Sequence, residues 1–350
     1  MARRAHLVKK VTSQDVAKLA GVSRTTVSLV LNDVPGTHIP ESTRQRVLEA
    51  ARKLNYYPAA AARSLASGKT HVIGLVLCEG PDKVSADAFL PDVMRGIADE
   101  VSKHDYTLLF HTNVAPNDPN SYMKLVRGHH IDGLIVSAPR SDDPNLPELA
   151  KSGFPTVLHG RLPGTDIPFV DVDNIGGAEK AVNHLIALGH KRIGLITNAP
   201  VSFTSAKARL RGYEKALEKA GIPLDENLIR YGYFLPETGY RAMTELLELP
   251  KPPTGVFVAS DVVAMGALAA VHEKGLRVPE EIAIVGFDDI FASAYTVPAL
   301  TTVHLPAYDL GREAAKMLFD IMGGEDFENR HMFLETSLIV RKSCGGVKVQ

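Results

Sequence analysis

Two hydrophobic rhythms divide the chain. Over roughly the first 58 residues, apolar positions recur at three- and four-residue spacing, the mark of short amphipathic helices. Thr12 or Ser13 can cap a first helix whose inward face is Val16, Leu19 and Ala20, and Gly21 ends it. Ser23 can cap a second, with Val27, Val30 and Leu31 buried and Arg24, Thr25, Thr26, Ser28 and Leu29 left to other faces. Pro40 then opens a third, ESTRQRVLEAARKLNY, with Val47, Ala51 and Leu54 inside. Three short helices with a glycine turn between the first two predict a helix-turn-helix unit.

After residue 70 the rhythm changes. Short β-branched runs (HVIGLVL, YTLLF, DGLIVS, TVLHG, RIGLIT, TGVFVA, EIAIVGF) alternate with helical patterns such as DVMRGIADEVSKH and VVAMGALAAVHEKG. Unbroken apolar runs suit strands covered on both faces, and the alternation predicts doubly wound parallel sheets. About 280 residues are long for one such sheet, so two lobes with a cleft at the strand ends are expected. Between the two regions lies YYPAAAARSLASGKT, where Pro58 breaks the third helix and Ala59 to Ala66 have high helical propensity but little bulk to bury. Such a segment reads equally as a plain linker or as a helix that forms only when paired.

Charge sharpens the division. Residues 1 to 68 carry a net +7 and the remainder −8, although the whole chain sums to −1. A basic helical head on an acidic body points to a polyanion as partner of the head. The outward face of the second helix is short-chained and hydrogen-bonding, as a DNA major groove requires, and flanking Lys and Arg would supply salt-sensitive phosphate contacts. Cys78 and Cys344 make neither a disulfide framework nor a zinc site. The charged start MARRAHLVKK has no long apolar run after it, which predicts neither signal peptide nor membrane span, and hence a cytoplasmic location. Motifs for catalysis are absent: there is no P-loop and no G-x-S-x-G elbow, and His129-His130 lack a spaced partner for a metal. Asp288-Asp289 could pass for paired carboxylates, but no nucleophile accompanies them, and binding is the better reading for Asp288. No enzyme activity, cofactor or metal is expected.

VAKLAGVSRTTVSLVLN, TRQRVLEAARKLNYYP and ARSLASG closely resemble the DNA-binding head and hinge of the LacI/GalR family of transcriptional regulators, and VDVDNIGG, HLIALGHKRIGLI, ARLRGYEKAL, TGVFVASDVVAMGAL, GLRVPEEIAIVGFDD and PALTTVHLP follow in that family's order. The resemblance implies an all-α helix-turn-helix head at 1–58, a hinge at 59–69 and a bilobal body of periplasmic-binding-protein type at 70–345. Lobe 1 would take about 71–171 and 302–332, and lobe 2 about 172–299 and 333–345. It further implies a repressor that binds a palindromic operator as a homodimer under control of a small molecule.

Carried over from the family, the DNA contacts fall on Thr12, Gln14, Ser23, Arg24, Thr25, Ser28, Leu29, Asn32 and Tyr56, with Arg63 in the hinge and Leu65 and Ala66 as the minor-groove wedge. Effector contacts fall on Phe89, Leu90, Arg161, Ser205, Arg209, Phe234, Ser260 and Asp288. Asp261, beside Ser260, reads as a helix cap. Leu29 stands where many relatives carry arginine, Ala59 where several carry asparagine, and a longer turn, NDVPGTHIPEST, displaces His38 from its usual phosphate contact. Arg209, Asp288 and Phe234 suit a sugar, a mono- or oligosaccharide, through hydroxyl bonding and ring stacking. They also suit a purine, and PETGYRAM and MGAL resemble purine-responsive members. A solute-binding protein is the alternative from another class, weakened by the basic head.

Overall fold

The computed structural model describes residues 11–32, 37–57, 64, 68–112, 122–324 and 330–345. The chain separates into two units, Met1–His71 and Val72–Gln350. The first holds α1 (Ser13–Ala20), α2 (Arg24–Leu31) and α3 (Glu41–Lys53). At the start of α1 the Asp15 carboxylate accepts from the backbone N–H and the hydroxyl of Thr12, at 2.9 and 2.7 Å. Gly21 takes φ +66°, which only a residue without a Cβ adopts freely, and so α1 stops there. The Ser23 hydroxyl accepts the backbone N–H of Thr26 at 3.1 Å and caps α2.

Val16, Val27, Val30, Val47, Ala17, Ala20, Ala50 and Ala51 form the core of this small unit, with Leu31, Leu54 and Tyr56 packed against it. Leu19, expected inside, is 54% exposed. The buried stripe of α1 runs through Val16, Ala17 and Ala20, and position 19 is rotated roughly a quarter turn away from it. The alanines let the short helices approach closely, so the larger leucine is not needed there.

The second unit is built on twelve strands among the described residues: β1 (Val72–Leu77), β2 (Thr107–Thr112), β3 (Gly133–Ser137), β4 (Thr156–His159), β5 (Phe169–Val172), β6 (Ile193–Thr197), β7 (Ile229–Tyr231), β8 (Gly255–Val258), β9 (Ala283–Asp288), β10 (Thr301–His304), β11 (His331–Leu334) and β12 (Ser337–Ile339). Around them lie α4 (Pro81–Ala86), α5 (Leu90–Lys103), α6 (Met123–Arg127), α7 (Leu146–Ser152), α8 (Asn174–Ala187), α9 (Thr204–Lys219), α10 (Pro236–Leu247), α11 (Asp261–Glu273) and α12 (Ala307–Met322). The strands form two six-stranded sheets, ordered β11-β5-β4-β3-β1-β2 and β12-β10-β9-β8-β6-β7. Every pairing is parallel except β10 with β12. Strands β3, β4, β6, β8 and β9 are buried along their whole length, the reason their sequences read as continuous apolar runs.

The doubly wound reading of the sequence therefore holds, with differences at the edges. β7, β11 and β12 are edge strands with half-exposed faces, and the first two carry no continuous apolar run by which to read them. β10 belongs to the second sheet, where Thr301–Val303 are buried between β9 and β12, so that lobe extends past residue 299. Phe169–Val172 and His331–Leu334 pair in the first sheet. The chain accordingly crosses between lobes three times: at Asp173, at Leu305 and Pro306, and at Glu335 and Thr336. After the second crossing, α12 packs along α5 at its closest where Gly96 and Gly311 meet. A Cβ on Gly96 would fall 2.0 Å from the Tyr308 carbonyl oxygen, and one on Gly311 would fall 2.0 Å from that of Val93.

Candidate DNA-reading face and effector cleft

On α2, Arg24, Thr25 and Ser28 are exposed and Leu29 is half-buried beside them. Ser23 is committed to its cap, and its hydroxyl also meets that of Thr26 at 2.9 Å. The Asn32 amide nitrogen donates to the Ser28 hydroxyl at 3.1 Å, while the Asn32 oxygen is buried with no partner. Thr12 and Gln14 are exposed at the start of α1, and Tyr56 is half-buried against the head core. His38 is exposed. Arg63, Leu65 and Ala66, with Ala59, lie outside the described residues. The head thus presents a row of short polar side chains and one guanidinium on a helix held by a valine and alanine core.

In the second unit, strand ends converge on a cavity, open at its mouth, between the two lobes. Phe89, Leu90, Ser205, Arg209, Phe234, Ser260 and Asp288 all line it. Arg161 does not. It is exposed and lines an adjoining cavity together with Lys207 and Arg211.

Arg209, in α9, is 6% exposed, and its Nε donates to Asn174 Oδ1 at 2.9 Å. One terminal nitrogen donates to the Ala259 carbonyl at 2.6 Å and to Asp288 Oδ1 at 3.2 Å, and the guanidinium lies 3.8 Å from the Phe287 ring centroid. Burial pushes the Arg209 pKa down, opposed by the charges of Asp288 and Asp171. Asp288 ends β9 at φ +117°, a backbone region worth about 1–3 kcal/mol of strain for a residue with a Cβ. Burial raises its pKa, opposed by Arg209 and by the Ser260 hydroxyl, which bonds to it. Because Asp288 and Arg209 are each the other's partner in a buried site, both stay oriented.

Asp261 is not the cap of α11. It is fully buried, and its carboxylate accepts from Ser293 Oγ and Thr302 Oγ1, each at 2.6 Å, and from the Ile290 N–H at 3.2 Å. It thereby ties the strained turn after β9 to β10, and burial pushes it up to about 8.

The aromatic wall has a similar construction. Phe234 sits at φ +56°, 9% exposed, with its N–H on the Asn198 carbonyl at 2.9 Å and its ring edge-on to Phe203 at 5.2 Å. Across the cleft, His159 accepts or donates through Nδ1 to Ser137 at 2.8 Å, and burial drives its pKa down to about 4. Lobe-to-lobe contacts flank the cavity: Ser141 N–H to the Ser202 carbonyl at 2.8 Å, Thr204 N–H to the Pro139 carbonyl at 3.3 Å, and Lys83 Nζ 3.6 Å above the Tyr233 ring.

Sequence reasoning missed Glu79, Asp87, Ser137, His159, Asp171, Asn174 and Asn198, all of which line the cavity. Most share one signal: they end a strand or follow one, where parallel sheets place their ligands. Burial raises the pKa of three acids among them, Glu79 to about 8, Asp87 to about 7 and Asp171 to about 6. Among the described residues no cluster suits a metal ion, and no helix is long and apolar enough to cross a membrane.

Residues 12–59 match the model of bacterial regulatory proteins of the lacI family, and residues 182–344 match the periplasmic binding protein-like domain. The transcriptional regulator CelR of Thermobifida fusca is 36% identical over 338 residues, covering 96% of this chain and 98% of its own. A solved CelR–cellobiose complex superposes with TM-score 0.74 at 35% identity, over 95% of this chain and all of that one. The transcriptional repressor PurR of Haemophilus influenzae is 35% identical over 341 residues, 96% and 99% of the two chains. The lac repressor dimer bound to operator and the anti-inducer ONPF gives TM-score 0.83 at 29% identity, over 96% and 99%. These relatives are regulators rather than enzymes. With a helix-turn-helix head and a bilobal body matched over nearly its whole length, this chain belongs to the LacI family: it is a DNA-binding transcriptional regulator with an effector-binding domain.

Proposed function

We propose that the protein is a repressor that binds a palindromic operator as a homodimer and answers to a saccharide in the interlobe cleft. Arg24, Thr25, Ser28 and Leu29 read bases in the major groove, while Thr12, Gln14, Ser23, Asn32 and Tyr56 meet the backbone. Arg63, Leu65 and Ala66 engage the minor groove at the centre of symmetry. A homodimer is supported by the exposed apolar turn after β9, where Phe291, Tyr295 and Val297 are 81, 70 and 93% exposed and the two rings lie 5.0 Å apart. It is supported too by the dimeric state of the lac repressor neighbour. The work is done in the cytoplasm, on nucleoid DNA, by binding rather than catalysis.

The observation that carries the saccharide reading is the cleft itself. An aromatic wall at Phe89 and Phe234 faces a guanidinium, four carboxyl groups and two amides, a lining suited to stacking on a sugar ring and bonding its hydroxyls. Cellobiose in the CelR complex agrees with this. Effector and operator affinities are then coupled reciprocally, whichever sign the coupling has.

The test is calorimetric titration of the purified full-length protein with cellobiose, maltose, glucose, hypoxanthine and adenosine, followed by gel shifts on DNA upstream of its own gene with and without the binder. A sugar that binds and changes the shift by tenfold or more is the expected result. Tight binding of hypoxanthine or adenosine with none by any sugar would overturn the saccharide reading in favour of a purine. No gel shift at low salt with any of them would sink the operator assignment.

A further inference from the structure

Two buried polar atoms on the cleft wall have no partner: Glu79 Oε2, on a residue 3% exposed, and Asn198 Oδ1, on a residue 1% exposed. They come from different lobes. Glu79 follows β1 and Asn198 follows β6, and both line the same cavity. An unpaired buried acceptor costs about 1–3 kcal/mol, so a donor brought to either atom is favoured by about that much. The Asn198 nitrogen does find a partner, the Ser205 hydroxyl at 3.3 Å, which leaves its oxygen as the unsatisfied end.

The charges around the cavity are equally lopsided. Glu79, Asp87, Asp171 and Asp288 line it, against the single guanidinium of Arg209, which is already held by Asp288, Asn174 and the Ala259 carbonyl. A group of cations with exposed heads, Arg161, Lys207 and Arg211, faces the adjoining cavity. A phosphate or carboxylate entering the cleft would meet the four carboxyl groups that line it, while the described cation facing Glu79, Lys83, stands over the Tyr233 ring at the flank of the cavity.

We propose that Glu79 and Asn198 are the specificity-determining pair of the effector site, each receiving a hydrogen bond from an uncharged saccharide, and that Glu79 rejects phosphorylated and acidic sugars. The proposal rests on the reading of the cleft as a saccharide site and adds which sugars are refused and by what. A hydroxyl donated to each orphan atom satisfies both lobes through one ligand, and closing the lobes on it becomes favourable. Rejection follows from bringing an anion up to Glu79 in a cavity lined also by Asp87, Asp171 and Asp288, where each added negative charge disfavours the others, a form of selection by repulsion. Facing Glu79 are Asp87, which raises its pKa, and Lys83, which lowers it.

The test uses the full-length protein, its E79Q and N198A variants, and matched probes: cellobiose, glucose, glucose 6-phosphate and glucuronate. Wild type is expected to bind the neutral sugars at least tenfold more tightly than either acid. E79Q and N198A should each weaken the neutral sugar about tenfold, and E79Q alone should narrow the gap to glucuronate. Tighter binding of either acid, or affinities of both variants within twofold of wild type, would overturn the proposal. If no sugar binds but hypoxanthine does, the saccharide reading fails by itself, and the same twofold or tenfold criterion on hypoxanthine decides whether the pair contacts the ligand.

A ligand-free measurement stands beside these. Glu79 is raised in the folded state, so its stabilising protonated form is complete below about pH 4.5 and is lost as pH rises through about 8. Empty E79Q should therefore melt higher than empty wild type at pH 8, with the gap closing toward pH 5. Equal melting at both pH values would show that Glu79 is not a buried unpaired acid and would also overturn the proposal.

Discussion

The head and the cleft solve recognition in opposite ways. The reading face of α2 is exposed, made of neighbours in sequence, and rests on a core to which Arg24, Thr25 and Ser28 contribute nothing. The cleft is buried and assembled from strand ends far apart in sequence, and several of its groups are structural supports and ligand contacts at once. Function and stability are thus separable in the head and entangled in the body. Substitutions can break or sharpen that contrast.

The largest effect is expected from Arg209→Met. Removing one partner of a buried pair leaves Asp288 uncompensated, at a cost of about 3–5 kcal/mol. Chemical denaturation followed by a probe in the body should show the loss, with effector binding abolished as well. A variant of wild-type stability would mean that the pair serves the ligand alone.

Next comes pH. His159 is held neutral by burial, its pKa lowered to about 4 against 6.5 in the unfolded chain. Its contribution is therefore present above pH 6.5 and lost as pH falls toward 4. The stability difference between wild type and His159→Gln should shift by up to about 3 kcal/mol across that window. Melting curves of both proteins at pH 7 and pH 4.5 measure it, and a constant difference would refute the buried neutral imidazole. The comparison has to be a difference, because Glu79 and Asp261 push wild-type stability the other way over the same range.

In the head the effects should be smaller and cleanly divided. Arg24→Ala should weaken operator binding by about 1–3 kcal/mol in fluorescence anisotropy. Its melting temperature should stay that of wild type; a marked drop would erase the contrast drawn above. Ser23→Ala removes the cap of α2 and should cost the head about 1 kcal/mol of stability. Smallest in magnitude is Leu29→Arg, expected to change which operator is preferred more than how tightly DNA is held. Binding selection from a random DNA pool, run with both proteins, would show it, and identical selected sequences would exclude Leu29 from the reading face.

The same contrast explains what could be read from the sequence. Helix caps at Thr12 and Ser23, the Gly21 stop and the buried strands were legible because each is a local pattern of residue type. Leu19 was misplaced because the alanines at 17 and 20 turned the stripe, a matter of packing against α3 rather than of periodicity. β7 and β11 were passed over because edge strands lack the continuous apolar run. In the cleft, the family resemblance reached Arg209, Asp288 and Phe234, and the cavity gathers them. It did not reach Glu79 or Asn198, whose significance lies in a missing hydrogen-bond partner, which no sequence displays. Arg161 went to the adjoining cavity because β4 already reaches the cleft at His159, and Gly160, at φ +109°, turns the chain after it.

The three crossings between lobes set an order of synthesis. As the chain leaves the ribosome, the head is complete by about residue 57, but lobe 1 lacks α12 and β11 until residues 307–334 have emerged. Until then the groove at Gly96 stands uncovered and β5 keeps an open edge. Lobe 2 in turn waits for β12, at 337–339. Neither lobe can close its core before α12, β11 and β12 have emerged, so the body forms in one late step while the DNA-reading head has long been folded. A chain truncated before α12 would retain a competent head on an aggregation-prone body, and α12, β11 and β12 act as the clasp that finishes both lobes together.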